Sequence, residues 1–351
     1  MCAGSRFSGV LSSHVLGFAG GTLGVDLFFV LSGFLITTLL LQEWGEHGAV
    51  SFRGFYSRRA LRLLPALGVY IFVAMLLTIG GAASGALDMH HLRVALQGMG
   101  SAVLYVSNFA KAFGLDLGPF THMWSLAEEE QFYFIWPFVL VVCLRRGIDP
   151  RRIAKTLFAI VVVLSLVRVG GAAAGISNEQ LISNPALRSD PILIGCAAGI
   201  AQRYGFFSWG SLAIASRRWL TVGSVVAAAA AAEVANRWPY WGHAAGLPLF
   251  EVAAMVVIAA AAFDGDLWAA RALRFPPLVW TRKISYSLYI WGGLFLAAQP
   301  RSAWAAALAV ALSFGAAALS RYLVEQPFLD RRKRLPQLGE PEASGLALAT
   351  S

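Results

Sequence analysis

The 351-residue chain is 58% hydrophobic and only 13% charged, and its mean hydropathy is +0.64. A soluble domain carries about 25% charged and 45–50% apolar residues, so this composition excludes a soluble globular protein. The net charge of +9 does not indicate nucleic-acid binding, because the basic residues form short clusters between apolar segments, as they do in membrane proteins.

The cysteines and histidines indicate neither a disulfide framework nor a metal site. Cys2, Cys143 and Cys196 have no paired spacing, and the adjacent His90 and His91 do not have ligand spacing with nearby acids or cysteines. The opening residues MCAGSRFSG lack the charged start, apolar core and cleavage site of a signal peptide. We therefore expect no metal, no permanently bound cofactor and no cleaved leader.

Eleven segments are candidate transmembrane helices, because a helix needs about 20 mostly apolar residues to cross a bilayer. They lie near residues 7–19, 22–41, 64–86, 95–110, 124–144, 153–175, 189–203, 218–235, 247–263, 283–299 and 303–325. Several are rich in glycine and alanine, which is typical of helices that pack closely in lipid. The chain is therefore predicted to be an all-α integral membrane protein.

Five basic clusters indicate how many of these segments cross the membrane. Cytoplasmic loops are enriched in Lys and Arg, and the clusters lie at 53–62, 145–155, 203–218, 271–283 and 331–334. Three candidate segments separate the first two clusters and would place them on opposite sides, so one of the three is not a full crossing. The segment 95–110 is short, and the segment 124–144 begins with glutamates. We predict about ten crossings with both termini cytoplasmic, and an irregular or re-entrant stretch near 95–133 that lines a cavity.

No compositional boundary divides the membrane region into domains. We predict one transmembrane domain over residues 1–334 and a disordered cytoplasmic tail over 335–351, where the sequence is LPQLGEPEASGLALATS.

Six motifs occur in an order that is typical of a known family. They are TLGVDLFFVLSGFLIT (22–37), FYSRRALRLLPA (55–66), HMWSLAEEEQFYFIWP (122–137), RSDPILIGC (188–196), ISYSLYIW (284–291) and LVEQPF (323–328). Over about residues 14–330 they closely resemble the membrane acyltransferase-3 family, the bacterial O-acyltransferases of sugars, surface polysaccharides and some macrolides. The resemblance implies about ten transmembrane helices, an acyl-CoA donor and an essential histidine in the first helix.

His14 precedes the GVDLFF motif at about the distance of the family's catalytic histidine. An imidazole is a suitable general base for a hydroxyl because its pKa lies near working pH; the alternative is a terminal histidine with no partner. Ala3 stands where the family has an arginine, and only thirteen residues precede His14. We therefore expect a truncated first helix, and one alternative is an inactive, truncated acyltransferase.

Asp26 opens the apolar run 22–41 and is a further catalytic candidate, because an acid within a membrane segment is a functional candidate by default. The alternative is that Asp26 caps the helix at its N-terminus. Ser32 and Gly33 either allow close approach of a helix or acyl chain or are ordinary small packing residues.

The motif FYSRRALRLLP places three arginines at helical spacing. Arg58 and Arg62 are four residues apart and Arg59 and Arg62 are three apart, so all three can share one side of a helix. Arginine binds phosphates through forked hydrogen bonds, so these residues are predicted to hold coenzyme A. The alternative is anchoring of the helix beside anionic lipid.

Three consecutive glutamates, Glu128, Glu129 and Glu130, cannot share one face, because successive helical residues are turned by about 100°. Glu129 and Glu130 match the family's glutamate pair, whereas the family has an apolar residue where Glu128 stands. We expect Glu129 or Glu130 to pair with a motif arginine or to orient a catalytic group. Glu128 is expected to face a wetter surface near the helix N-terminus, where the helix dipole stabilises acids.

The later motifs carry secondary candidates. Arg188 and Asp190 are expected to form a mutual ion pair or the rim of a cavity, and Glu325 is expected to be structural, with Arg321 four residues before it as a partner. In many relatives a histidine follows the tryptophan of ISYSLYIW, whereas this chain has Gly292 and Gly293 there.

The sequence and the resemblance together predict an integral-membrane O-acyltransferase of the plasma membrane. It would move an acyl group, acetyl by family default, from acyl-CoA to a hydroxyl of a carbohydrate or glycosylated metabolite. The catalytic candidates are His14, Asp26, Glu129 and Glu130, and the donor-binding candidates are Arg58, Arg59 and Arg62. The main alternative is a non-catalytic transporter or flippase of lipid-linked sugars, although no inverted repeat is evident.

Overall fold

The computed structural model describes residues 21–206, 211–263, 275–296 and 302–333. Within these ranges every regular element is helical, which confirms the predicted all-α class. Residues 1–20, which include the predicted segment 7–19, and the predicted tail at 335–351 lie outside the described residues.

The described residues 21–145 form five α-helices, of which the fifth carries the three glutamates. They are α1 (Gly21–His47), α2 (Phe52–Ala83), α3 (Met89–Val103), α4 (Ser107–Ala112) and α5 (Trp124–Arg145). A 3₁₀ helix, Gly118–Met123, leads directly into α5.

The described residues from Pro150 onward form ten further α-helices and two π-helical segments. They are α6 (Pro150–Ala173), α7 (Asn178–Ser183), α8 (Pro185–Arg188), α9 (Asp190–Arg203), α10 (Ile214–Arg237), α11 (Pro239–Trp241), α12 (Leu247–Phe263), α13 (Pro276–Leu296), α14 (Ala303–Leu319) and α15 (Gln326–Lys333). The π-helical segments are Gly242–Gly246, which continues into α12, and Ser320–Glu325, which joins α14 to α15.

Six helical stretches of the described chain are long and apolar enough to cross a membrane. They are Leu23–His47, Phe52–Ala83, Pro150–Ala173, Ile214–Arg237, Gly242–Phe263 and Ala303–Asp330. The predicted count of ten crossings is therefore not confirmed. Helix α3 has 15 residues and α9 has 14, and at 1.5 Å per residue each rises about 20 Å, less than the roughly 30 Å hydrocarbon core.

The stretch predicted to be irregular near 95–133 is interrupted only in its central part. Helix α3 ends at Val103, Tyr105 has a positive φ of 53°, and the short α4 and the 3₁₀ helix follow. From Trp124 onward the chain is regular helix. The irregular part thus ends before the glutamates, which lie on a continuous α-helix.

Helices α1 and α9 pack against each other at backbone contact. A Cβ added to Gly33 would overlap the carbonyl oxygen of Ile192, and one added to Gly195 would overlap the carbonyl oxygen of Val30. Any larger side chain at these glycines would push the two helices apart, as in other small-residue helix interfaces in membranes. The close-approach role expected for Gly33 is therefore observed.

The distribution of polar and apolar side chains is that of a membrane protein. Large apolar side chains such as Leu35, Phe72 and Leu166 are exposed, at 48%, 67% and 67%. Charged side chains are instead buried between the helices, and Arg168 and Arg188 have no exposed surface. Since charges within a bilayer face the bundle interior and apolar groups face lipid, the chain is a multi-pass membrane protein.

Candidate active site

Two of the three glutamates of α5 lie beside an arginine of α2. Helix α2 begins at its N-cap Ser51, whose hydroxyl accepts a hydrogen bond from the Gly54 amide at 3.2 Å. Arg59 follows about two turns later and points toward α5. Its Nε donates to Oε1 and Oε2 of Glu130 at 2.8 and 3.0 Å, and its Nη2 also donates to Oε1. The expectation that a motif glutamate pairs with a motif arginine is met by Glu130.

Glu129 joins this pair to α1. Its carboxylate lies 3.6 Å from Nη2 of Arg59 and accepts a hydrogen bond from the hydroxyl of Ser32. Ser32 is also hydrogen-bonded to the hydroxyl of Tyr133, and the Arg59 guanidinium carbon lies 3.4 Å from the centre of the Tyr133 ring. We call the five side chains Ser32, Arg59, Glu129, Glu130 and Tyr133 the Arg59 site.

The Arg59 site holds one guanidinium against two carboxylates, and all three groups are largely buried. The Arg59 and Glu130 side chains are 19% and 16% exposed, and that of Glu129 is 6% exposed. Charge-assisted hydrogen bonds are strong in such surroundings and fix the orientation of both carboxylates. The site can therefore hold a neighbouring donor group, such as an imidazole or a hydroxyl, in a fixed orientation.

A second group of charges lies deeper between α1, α6, α8, α9 and α12. It consists of Asp26, Arg168, Arg188, Asp190 and Glu251, all with fully buried side chains. Arg188 pairs with Asp26 and lies 3.7 Å from Glu251, while Arg168 pairs with Asp190 at 2.7 Å. We call this group the Asp26 cluster.

The Asp26 cluster excludes one of the two alternatives that the sequence left open for the Arg188–Asp190 pair and one of the two for Asp26. Arg188 and Asp190 do not pair with each other, because each is turned toward a partner from another helix, Asp26 and Arg168 respectively. Asp26 is not an N-cap, because it lies inside α1 and its carboxylate binds Arg188. The guanidinium of Arg168 also donates to the carbonyl of Leu187 at 2.9 Å, so the cluster ties several helices together.

Glu128 contradicts the expectation that it faces a wetter surface. Its side chain is buried, with 2% exposure, and neither carboxyl oxygen has a hydrogen-bond partner among the described residues. It interacts electrostatically with Arg188, Asp190 and Asp26 and so points toward the Asp26 cluster. Because successive helical residues are turned by about 100°, Glu128 points toward the Asp26 cluster, whereas Glu129 and Glu130 belong to the Arg59 site.

The three arginines of α2 that were predicted to bind the donor, Arg58, Arg59 and Arg62, are not gathered around one space. Arg59 is engaged by Glu130, whereas Arg62 lines an open cavity with residues of α13 and the Ser320–Glu325 segment. Arg58 is near Gly54 in its own helix, and its buried Nη2 has no hydrogen-bond partner in the described chain. The expected pairing of Glu325 with Arg321 is present, at 3.6 Å.

His122 is a candidate that the sequence did not single out. It lies in the 3₁₀ helix before α5, between the rings of Tyr70 and Tyr289, with ring centroids 5.5 Å from each. Its Nε2 is buried without a hydrogen-bond partner in the described ranges. Burial lowers the pKa of His122 to about 4, so the imidazole is neutral at pH 7.

The position of His122 gives a physical reason for a glycine in the ISYSLYIW motif region. A Cβ added to Gly293 would overlap the imidazole of His122. In this chain, therefore, a histidine from the third motif fills the space beside the fifth motif. The sequence contained a signal that could have identified His122, because this residue is the first of the third motif and directly precedes the MWSLAEEE run.

Gln131 connects the Arg59 site to the irregular segment before α5. Its amide exchanges two hydrogen bonds with Asn108, both at 3.0 Å, and donates to the carbonyl of Tyr105 at 2.6 Å. Tyr105 is the only non-glycine residue with a positive φ in the described ranges. These contacts fix the turn between α3 and α4 against the helix that carries the glutamates. His14, the predicted base, lies outside the described residues.

Comparison with known proteins identifies the family. The model of the acyltransferase-3 family, described as an acyltransferase domain, matches residues 3–323. The chain is 28% identical over 332 residues to the peptidoglycan O-acetyltransferase OatA of Listeria monocytogenes, covering 88% of this chain and 51% of that protein.

It is 30% identical over 292 residues to the O-acetyltransferase OatA of Staphylococcus aureus, covering 78% of this chain and 45% of that protein. The chain thus spans about half the length of the curated relatives it matches. No solved structure matches the chain significantly. Because the family model matches nearly the whole sequence, the chain belongs to the acyltransferase-3 family of membrane O-acyltransferases.

Proposed function

We propose that the chain transfers an acetyl group from acetyl-CoA to a hydroxyl of a cell-surface carbohydrate. The observation that carries this proposal is the Arg59 site, in which motif residues of α1, α2 and α5 converge on one buried, hydrogen-bonded constellation. In general-base catalysis the base is commonly held in the correct orientation by a neighbouring carboxylate.

In the proposed reaction His14 acts as the base or as a covalent relay. The acceptor oxygen forms a bond to the acyl carbon, the carbon–sulfur bond breaks, and the thiolate of coenzyme A takes up the proton removed from the hydroxyl. Glu129, and not Glu128, is the carboxylate proposed to orient the reacting histidine, because it lies between Ser32 and Arg59. Arg59 fixes Glu129 and Glu130 rather than the donor phosphates.

A glycan acceptor is favoured by the names of the relatives. One is called a peptidoglycan O-acetyltransferase and another an O-acetyltransferase. We propose a peptidoglycan-type sugar hydroxyl as the first acceptor to test, with glycosylated metabolites second. The plasma membrane and cytoplasmic termini are proposed with it, because five basic clusters lie between apolar segments, as is typical of cytoplasmic loops. A flippase of lipid-linked sugars is not favoured, since the family is one of acyltransferases.

Mass spectrometry of surface glycans and secreted metabolites tests the proposal. A strain that lacks the gene is complemented with the wild-type chain, with His14→Ala or, as a matched control, with His90→Ala, whose side chain is exposed. We expect a mass increase of one acetyl group with wild type and His90→Ala only. Acetylation restored equally by His14→Ala would contradict the role of His14, and glycans identical with and without the gene would contradict the acceptor class.

A further inference from the structure

Tyr105 occupies a backbone position that favours glycine. Its φ is 53°, and it directly follows the C-cap of α3. The amide of Tyr105 donates to the carbonyl of Ala102 at 3.2 Å, and the amide of Val106 donates to the carbonyl of Ser101 at 2.9 Å. This pair of hydrogen bonds defines a Schellman motif, in which the residue with the left-handed conformation is usually glycine.

Four other helices of the described chain, α4, α5, α6 and α9, end with the same pair of hydrogen bonds. Their left-handed residues are Gly114, Gly147, Gly175 and Gly205. A side chain in this conformation is crowded by the following carbonyl oxygen, so a tyrosine there strains the backbone. Strain of this kind is concentrated at functional sites, where the side chain has a use that offsets it.

Helix α5 holds the strained residue in place. Gln131, which follows Glu130 on α5, donates to the carbonyl of Tyr105 at 2.6 Å and is itself fixed by two hydrogen bonds with Asn108. The phenol of Tyr105 interacts electrostatically with Glu130 and Arg59. The network therefore fixes Tyr105 against the helix of the glutamates, with its phenol facing the Arg59 site.

Tyr105 differs from the other tyrosines around the Arg59 site because its hydroxyl is free. The others are Tyr56, which donates to two backbone carbonyls of α5, Tyr133, bonded to Ser32, Tyr286, which donates to the carbonyl of Leu63, and Tyr289, bonded to Ser125. Within the described chain no group forms a hydrogen bond with the hydroxyl of Tyr105, which is only half-buried. This hydroxyl is therefore available to a substrate.

The hydroxyl of Tyr105 is suited to donate a hydrogen bond and not to act as a base or nucleophile. Burial, together with the negative charge of Glu130, raises the pKa of Tyr105 to about 12, so the phenol keeps its proton at neutral pH. In acyl transfer the carbonyl oxygen of the thioester becomes negatively charged, and a fixed donor stabilises that charge. The Arg59 guanidinium is already engaged by two carboxylates.

We propose that Tyr105 is a further catalytic residue, whose hydroxyl donates a hydrogen bond to the carbonyl oxygen of the acyl group. The acceptor oxygen bonds to the acyl carbon, and the carbonyl electron pair moves onto the oxygen that Tyr105 contacts. It returns as the carbon–sulfur bond breaks, and Tyr105 keeps its proton throughout. Gln131 and Asn108 are positioning residues. The inference rests on the proposed acetyl transfer.

The substitution Tyr105→Phe tests this role because it removes the hydroxyl and keeps the ring and the backbone. The assay is transfer of labelled acetyl from acetyl-CoA to peptidoglycan fragments by the full chain in liposomes. We expect kcat to fall about a hundredfold or more, the usual effect of losing one oxyanion donor. KM for acetyl-CoA and the unfolding temperature should not change, because the interaction forms only in the transition state. Tyr204→Phe, at a tyrosine that is 40% exposed at the end of α9, is the matched control.

A second variant, Tyr105→Gly, gives the position the residue of the four other motifs, so it should fold and also lose transfer. Wild-type kcat in Tyr105→Phe or Tyr105→Gly overturns the inference and leaves the proposed function standing. A raised KM with kcat unchanged overturns it as well, because it shows ground-state binding alone. Acetyl found on Tyr105 by mass spectrometry would show a nucleophile and contradict the donor role. No transfer by the wild type overturns the proposed function, and the inference with it.

Discussion

The ion pair of Arg59 with Glu130 makes a specific prediction for stability. Arg59→Gln leaves the carboxylates of Glu129 and Glu130 without their counter-ion, whereas Glu130→Gln leaves Arg59 with Glu129 alone, 3.6 Å away. Removing both leaves two neutral amides that can hydrogen-bond to each other and one buried carboxylate, Glu129. We therefore expect the double variant to be more stable than Arg59→Gln, although it lacks more of the native interaction.

The magnitude follows from the burial of the pair and its three hydrogen bonds. Breaking a fully buried ion pair from one side costs about 3–5 kcal/mol. Because Arg59 and Glu130 are 19% and 16% exposed, solvent screening reduces this to about 2–3 kcal/mol for Arg59→Gln, and the remaining contact of Arg59 with Glu129 makes Glu130→Gln milder, at about 1–2 kcal/mol. The double variant should lie about 1–2 kcal/mol below wild type, because Glu129 has lost its counter-ion, so the coupling energy is about 2–3 kcal/mol.

Thermal unfolding in detergent, followed by tryptophan fluorescence, measures this coupling. Arg59→Gln should unfold about 4–8 °C below wild type, and Glu130→Gln and the double variant should each unfold about 2–4 °C below it. The exposed pair Arg237 and Glu233, with side chains 67% and 53% exposed, is the matched control. Its coupling should not exceed about 0.5 kcal/mol. Additive losses in the Arg59 series, or equal coupling in both pairs, would refute the buried-pair interpretation.

Three further predictions concern the glutamate run, the glycine beside His122 and the topology. Glu128→Met should raise the unfolding temperature by a few degrees, because both carboxyl oxygens are buried without a hydrogen-bond partner in the described chain; a lower unfolding temperature would show that its charge stabilises the Asp26 cluster. Gly293→His should lower the yield of folded protein in membranes, because its side chain would overlap His122, and a normal yield would contradict this packing. In a cysteine-free background, Ile148→Cys should be labelled only from the cytoplasm, and labelling from outside would exclude the predicted topology. Ile148 is preferable to the neighbouring Gly147, whose φ of 66° disfavours a side chain.

The glutamate run shows how far helical geometry alone could predict the site. The turn of about 100° per helical residue correctly predicted that Glu128, Glu129 and Glu130 do not all share one face of α5. It could not predict that Glu128 is buried, because that depends on Arg188 and Asp26, which come from helices far away in the sequence. The family pattern named Glu129 and Glu130 as the matching pair, and the structure places both beside Arg59.

The pairing of Arg188 illustrates a second limit of sequence reasoning. Two opposite charges two residues apart suggest a mutual pair, but in the structure α8 ends at Arg188 and α9 begins at Asp190. The change of helix turns the two side chains toward different neighbours. The crossing count is not confirmed for a related reason, because charge and length along the sequence do not show which helices are interrupted.

The central proposal, acetyl transfer that depends on the Arg59 site, is tested most directly with purified protein in liposomes. The measurement is release of free thiol from acetyl-CoA together with transfer of labelled acetyl to a peptidoglycan glycan, for wild type, Glu129→Gln and the control Arg152→Gln. We expect transfer by wild type and Arg152→Gln, and at least about a hundredfold loss in Glu129→Gln, because glutamine keeps the shape but removes the charge that orients the base. Transfer by Glu129→Gln at the wild-type rate would contradict the role of the Arg59 site.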